Sequence, residues 1–342
     1  MATVAPTPGQ RGFTVHDYTS TGGRDYQEDR GRNVPDFNAM IPDGTECDKS
    51  IRRALFCIFD GHGGDQCSIY LHSNFHKELA AHPTIGTDPN KAILEVWDKV
   101  ETGFRGLMDR KFERMKAKFT PTEERPECKY PCDGSTGTVC LLIGNKFHIA
   151  SVGDSTCAAI KTNKAMEEFC EDHSTINPSE VTRCEAAGAK FEQKMKRVPA
   201  PFPKCCVAMV EVPNGKPRIY PGGLLVTRAF GDLHAKIPEV GGCIGGVIHT
   251  PEPIREIEIA DDWMYFIVAS DGVWDAMAGK SVYKILAKEK EDAEFDYGKD
   301  ADKVEKVRKR MTKSFVQTCV DSEYWTKTAS DADNTTAIMC FF

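Results

Sequence analysis

The sequence predicts an α+β fold, in which short antiparallel strands are accompanied by long amphipathic helices. Two observations carry that prediction. Apolar runs at 138–143, 147–152 and 157–160 follow one another with only turn residues between them. That is the pattern of a meander, and it favours antiparallel pairing. Residues 66–81 and 90–112 instead repeat their apolar side chains at helical spacing, with Leu71, Phe75 and Leu79 in the first and Ile93, Trp97, Val100 and Phe104 in the second. At 342 residues the chain has room for one large domain or two ordinary ones, and composition does not choose between them.

Taken in order, the elements begin after a lead-in rich in Pro, Thr and Ala over residues 1–11, which reads as disordered, with order starting near Gly12. The apolar stretch 54–59 has the length and residue types of a buried strand. The two helices follow it, then a loop over 119–133 with three prolines and no period, then the meander. Asn177, Pro178 and Glu180 spell a helix start, with Asn as N-cap, Pro in the first turn and Glu closing a capping box, and Gly188 suits the stop. Residues 191–218 hold five prolines and a Cys205–Cys206 pair, an irregular stretch long enough to be a flap near a site. Strands are expected at 256–259 and 264–269, helices at 281–290 and 301–320, and a last strand at 335–342. The mixed charges of 288–310 read as a solvated helical face.

Forty per cent apolar and 28% charged residues is an ordinary globular balance, and a net charge of −7 argues against a broad nucleic-acid-binding face. No apolar run approaches the roughly 20 residues that span a bilayer, and the first residues lack a signal-peptide h-region. The expectation is therefore an intracellular chain with neither nucleic acid nor membrane as partner. Fourteen cysteines are scattered through strand-like and helix-like segments, which suits buried reduced thiols. The closest groupings, Cys128 with Cys132 and Cys205 with Cys206, lack the paired CxxC spacing of a structural zinc site.

Chemistry is expected where apolar runs end in acids. Asp60 follows the run 54–59 and opens Asp60-Gly61-His62-Gly63-Gly64. A strand-end carboxylate beside a bare Gly61 carbonyl can bind a hard cation, with His62 within reach of a proton. The same segment can equally be a strand followed by a Gly-rich turn. Asp271 ends the run 264–269, Asp154 closes a meander strand, Asp331 and Asp333 precede the last strand, and Glu28 with Asp29 follows Arg24. Acids repeated at five strand edges exceed what solvation needs, and if they converge they require cations. Oxygen ligands without Cys select Mg²⁺ or Mn²⁺ over zinc.

The segments GGRDYQEDR (22–30), FDGHGG (59–64), DGSTGTV (133–139), ASVGDS (150–155), EDH (171–173), LLVTRAFGD (224–232), PEP (251–253), ASDGVWD (269–275) and ADNTTAIMCFF (332–342) occur in the order of one family. In wording and order the chain resembles the metal-dependent serine/threonine protein phosphatases of the 2C type, from about residue 22 to its end. The resemblance implies a four-layer α-β-β-α sandwich of two antiparallel sheets flanked by helices. It implies one catalytic domain over 12–342, with a flap insertion near 190–220. It also implies hydrolysis of phosphoserine and phosphothreonine in phosphorylated protein substrates by a metal-bridged hydroxide, without a phosphoenzyme.

The resemblance further implies two Mn²⁺ or Mg²⁺ ions. Asp60 would bridge them, Glu28 and the Gly61 carbonyl would complete one, and Asp271 with Asp333 the other, while Asp29 orients water. Arg24 would hold the phosphate and His62 protonate the leaving oxygen. Asp154 and Asp275 match a third, weaker ion site, with Asp232 close to it by pattern. Taken without the resemblance, Arg24 is a surface residue and Asp275 a helix N-cap. His173 reads as a packing or turn residue, and Trp274 and Phe230 as packing. Thr156 stands where many relatives have Arg, a change expected to loosen one contact, and Gly137 replaces a common alanine, a change expected to be minor. A monomer in the cytoplasm, and in the nucleus besides, completes the expectation. The rival readings are an adaptor that keeps the fold without activity, and a hydrolase of small phosphate esters.

Overall fold

The computed structural model describes residues 9–123, 125–199, 209–277, 282–287, 301–322 and 332–342. Residues 1–8 of the expected lead-in, Ser281 and 288–290 of one expected helix, Asp331 and the Cys205–Cys206 pair lie outside them. Two five-stranded antiparallel sheets form the centre. One runs, edge to edge, Thr14–Ser20, Thr335–Phe341, Trp263–Ala269, Thr156–Lys161 and Met166–Glu168. The other runs Arg255–Glu258, Lys146–Val152, Gly137–Ile143, Arg53–Phe59 and Arg30–Val34.

Alternation along these strands builds four layers, since successive side chains leave a strand on opposite faces. Phe56, Ile58, Cys140 and Phe147 of the second sheet meet Cys157, Phe266, Val268 and Ile338 of the first in a core between the sheets. Their neighbours Leu55, Cys57, Phe59, Val139 and Leu141 face outward onto the helices Gln66–Ala80 and Pro89–Lys118. On the opposite side Tyr265, Ile267, Ala337 and Met339 pack against Asp271–Met277 and Ala301–Val320. Burial on both faces explains why 54–59 and 264–269 read as unbroken apolar runs rather than alternating ones. No described helix is long and apolar enough to cross a membrane.

Several expectations need correction. Arg11, assigned to the disordered lead-in, is anchored, its N–H on Asn145 Oδ1 at 2.8 Å and a guanidinium N–H on the Trp263 carbonyl at 2.7 Å. The stretch 191–218, expected to be irregular, holds two antiparallel ribbons, Lys190–Glu192 with Arg218–Tyr220 and Met195–Pro199 with Met209–Pro213. Pro199 and Pro213 end their strands rather than abolish them. Asn177 does cap its helix, its side chain accepting from the Ser179 N–H at 3.1 Å. Glu180 does not close a capping box, because its carboxylate is taken up by Arg228, Arg183 and Thr227. The helix expected over 90–112 runs Pro89–Lys118, capped by Asp88. Gly137 is no minor replacement: a Cβ there would come within 2.6 Å of the Phe230 ring, which packs on Trp97 with ring centroids 4.6 Å apart.

Candidate functional site: a carboxylate-rich end of the sandwich

The pairing registers bring the acids to one end of the molecule. Arg30 pairs with Phe59, Ala269 with Ala337, Ser20 with Thr335 and Gly137 with Val152. Residues just outside those pairs therefore share an edge, namely Asp29 and Asp60, Asp271 and Asp333, and Asp154. Hydrogen bonds fix the backbone that carries them. The Asp60 N–H donates to Thr136 Oγ1 at 3.1 Å, and the Asp60 carbonyl accepts from the Thr136 N–H at 2.8 Å. Thr136 Oγ1 in turn contacts Ser155 Oγ at 2.8 Å, beside Asp154. Asn334 accepts from the Glu28 N–H at 2.7 Å and donates to the Thr21 carbonyl at 2.9 Å, joining the 21–28 turn to the last strand.

The electrostatics match that convergence. Burial, then the charges of Asp29, Asp271, Asp154 and Asp333, pushes Asp60 well above the usual carboxylate range. Asp271 is raised well above it by burial and by Asp154, Asp333, Asp275 and Asp29. Burial pushes Asp29 up to about 6, although Ser270 Oγ donates to it at 2.8 Å, and its Oδ1 is buried without a hydrogen-bond partner. Asp154 is pushed up to about 6 by burial and then by Asp172. Burying so many acids together is unfavourable unless protons or cations offset the charge.

Arg24 is half exposed, and its guanidinium donates to Asp333 Oδ2 at 2.8 Å. Glu28 Oε1 accepts from the Gly64 N–H at 2.9 Å. Among the described residues, no three His, Cys, Asp or Glu side chains are gathered closely enough, as they stand, to hold an ion. The donor set nonetheless fits a hard divalent cation, because it is oxygen throughout, mutually repelling and includes the orphaned Asp29 Oδ1. Gly61 sits tight against this end, since a Cβ there would meet the Glu28 carbonyl and Ser68 Oγ at 2.8 Å.

His62 is held differently. Gly61–His62 pairs with Gly134–Ser135, which pairs with Phe230–Gly231. Across that small sheet Asp232 reaches His62, its Oδ2 2.7 Å from Nε2. Asp232 is buried in the left-handed region at φ 48°. Glu101 supports the turn from below, accepting from the Gly231 N–H at 2.8 Å and from Lys236 at 2.8 Å. Burial would lower the His62 pKa, but the charge and hydrogen bond of Asp232 outweigh it and leave the pKa raised. Asp232, placed with a third ion site by pattern, is thus the partner of His62 in this structure.

Asp275 lies within the helix Asp271–Met277 and so is not its N-cap. Trp274, read as packing, donates its indole N–H to the Thr156 and Ala269 carbonyls at 3.2 and 3.0 Å, and lines a cleft with Asp154, Asp172, Asp271 and Asp275. His173 is buried as expected of a packing residue. Sequence reasoning missed Thr136, Ser155, Ser270, Asn334, Glu101 and Lys236. The first four lie inside or beside the quoted motifs, whereas Glu101 and Lys236 carry no local signal.

Together these groups can hold hard cations, grip a phosphoryl group and hand over a proton. A family model described as Protein phosphatase 2C matches residues 20–322. The chain is 30% identical over 269 residues to probable protein phosphatase 2C 7 of Oryza sativa subsp. japonica, covering 77% of this chain and 57% of that protein. It is 28% identical over 238 residues to probable protein phosphatase 2C 76 of Arabidopsis thaliana, covering 69% of this chain and 45% of that protein. The chain spans about half the length of the curated relatives it matches. A serine-threonine phosphatase 2C from Toxoplasma gondii has the same fold, with a TM-score of 0.67 at 18% identity over 98% of this chain and 97% of that one. A C. elegans sex determining protein aligns with a TM-score of 0.65 at 22% identity over 97% of this chain and 65% of that one. With the family model spanning most of its length, the chain belongs to the protein phosphatase 2C family.

Proposed function

We propose that the chain is a protein serine/threonine phosphatase that hydrolyses phosphoserine and phosphothreonine with Mn²⁺ or Mg²⁺. The observation that carries this reading is the meeting of Asp29, Asp60, Asp154, Asp271 and Asp333 at one end of the sandwich, with His62 held beside them. Asp60, Glu28, Asp271, Asp333 and the Gly61 carbonyl would hold two ions, and Asp29 would orient water. Asp154 and Asp275 would serve a third. When bound, such ions supply positive charge for the phosphoryl oxygens and a more acidic water.

The chain's own groups do the rest. Arg24 has a half-exposed fork that can leave Asp333 for two phosphoryl oxygens, the geometry for which a guanidinium is suited. His62 has Nε2 engaged by Asp232, which leaves Nδ1 to donate to the departing serine or threonine oxygen. Such an oxygen is a poor leaving group without an acid. Asp232 favours the protonated imidazole and would orient it for that donation.

The test is phosphate release from a phosphothreonine peptide by the purified chain. Release is expected with Mn²⁺ or Mg²⁺, none in excess chelator, and none from Asp60→Asn. Equal turnover in chelator would sink the mechanism. Turnover of small phosphate esters alone would favour the small-ester reading, and no turnover under any condition would favour an adaptor.

A further inference from the structure

Beside the acidic end two thiols touch. Cys157 Sγ lies 3.7 Å from Cys170 Sγ. Cys157 is buried between the sheets, whereas Cys170 is partly exposed and lines the cleft shared by Asp154, Asp172, Lys216, Asp271 and Trp274. We propose that Cys157 and Cys170 form a reversible disulfide, made by a peroxide that reaches Cys170 through this cleft, and that the bond switches off the adjoining phosphatase centre. The regulatory half rests on the phosphatase reading.

The chemistry balances. Peroxide takes the Cys170 sulfur to a sulfenic acid and releases one water. Cys157 sulfur then attacks Cys170 sulfur, the S–S bond forms, and the hydroxyl leaves as a second water. Two thiols have lost two protons and two electrons to one peroxide. The sulfurs must close from 3.7 Å to about 2.05 Å, so the backbone on one side has to yield.

What yields is attached to the centre. The Cys157 carbonyl accepts from the Phe169 N–H at 3.0 Å, and the His173 N–H donates to the Gly153 carbonyl at 3.1 Å. Next to Cys157, the Thr156 carbonyl holds Trp274 on the helix that begins at Asp271, and Ser155 Oγ holds Thr136, which receives the Asp60 N–H. Pulling Cys157 toward Cys170 therefore disturbs the supports of Asp60 and Asp271 together. Both thiols sit well above the usual range, Cys157 through burial first and Cys170 through its bond to Cys157 first. The pair should consequently oxidise more slowly than an exposed thiol.

To test this, the full chain with Mg²⁺ is treated with hydrogen peroxide, quenched with catalase, alkylated and digested with trypsin, which separates the two cysteines by cutting after Lys161 and Lys164. A disulfide-linked Cys157–Cys170 peptide pair is expected, with at least a fivefold fall in phosphopeptide turnover that dithiothreitol restores. Cys170→Ser and Cys170→Ala, matched to the parent in melting temperature, should keep their activity through the same treatment. The proposal is overturned if other cysteines oxidise while this pair stays reduced, or if the pair links and turnover stays within twofold. A chain that releases no phosphate at all would overturn the functional reading instead, and the linked peptide, read by mass, still decides whether the pair closes.

Discussion

Asp232 Oδ2 stands 2.7 Å from His62 Nε2, and the Asp232 carboxylate is fully buried with its other oxygen unpartnered. A buried charge opposite an imidazole holds the proton on the ring and fixes which nitrogen faces outward. Asp232→Asn should therefore cut turnover of a phosphothreonine peptide by about 10²-fold, the scale of a lost general acid. Turnover of p-nitrophenyl phosphate, whose leaving group needs no proton, should fall far less. The Mn²⁺ concentration giving half-maximal activity should not move. A large shift in that concentration, with equal losses on both substrates, would make Asp232 a metal ligand instead.

Gly134 lies between these two side chains. A Cβ built there would come within 2.4 Å of both Asp232 Oδ2 and His62 Nε2. Gly134 cannot move aside freely, since it pairs with His62 on one flank and Gly231 on the other. Gly134→Ala should reproduce the leaving-group signature of Asp232→Asn and destabilise the chain by about 1–3 kcal/mol, as overpacking does. Combined with Asp232→Ala it should cost little further turnover, because both act on one contact. Additive losses in that double variant would show that Gly134 acts elsewhere.

The acidic end predicts how stability of the metal-free chain depends on pH. Asp29 and Asp154 are raised from an ordinary 3.8 to about 6 in the folded chain. A raised carboxylate binds its proton more tightly folded than unfolded. Its contribution is fully present below about pH 4 and is lost as pH rises through about 6. Urea midpoints measured with chelator should fall between about pH 4 and pH 6 and level off above that, and saturating Mg²⁺ should remove that fall. Asp60→Asn should raise the metal-free midpoint at pH 7 while abolishing turnover. A midpoint flat with pH in chelator would mean that the carboxylates do not strain the fold.

How far the site was legible follows from where burial left a mark on the sequence. Asp60 and Asp271 stood out because the strands before them are buried on both faces, which makes 54–59 and 264–269 continuous apolar runs. Thr14–Ser20 and Arg30–Val34 left no such mark. They are edge strands whose polar residues, Arg30, Arg32 and Asn33 among them, face partly into solvent. The His62–Asp232 contact joins residues 170 apart through three two-residue strands, too short to show any period. Glu180 had the position and chemistry of a capping residue, and only the fold supplies the guanidinium that takes it away.

That guanidinium sets a last prediction. Glu180 is buried, and both its oxygens are engaged, Arg228 donating at 2.7 Å, Arg183 at 2.8 Å and Thr227 at 2.7 Å. Burial would raise its pKa, but the bonds from Arg228, Arg183 and Thr227 outweigh it and hold the carboxylate far below its ordinary range. A depressed carboxylate contributes stability that is present above its unfolded value, about 4.5, and that is lost as pH falls toward the folded value. With Mg²⁺ present, unfolding midpoints should hold down to about pH 5 and then decline. Glu180→Gln leaves Arg228 with Glu252 as its remaining carboxylate partner and takes the charged acceptor from Arg183, and should cost about 1–3 kcal/mol at pH 7. Its cost should shrink as pH falls below about 4.5, because the parent's unfolded chain then takes up a proton that its folded carboxylate refuses. Because Thr227 and Arg228 lead directly into Ala229–Asp232, the variant should also lose peptide turnover before it unfolds, while a variant with full turnover and an unchanged acid limb would sever this network from both stability and His62.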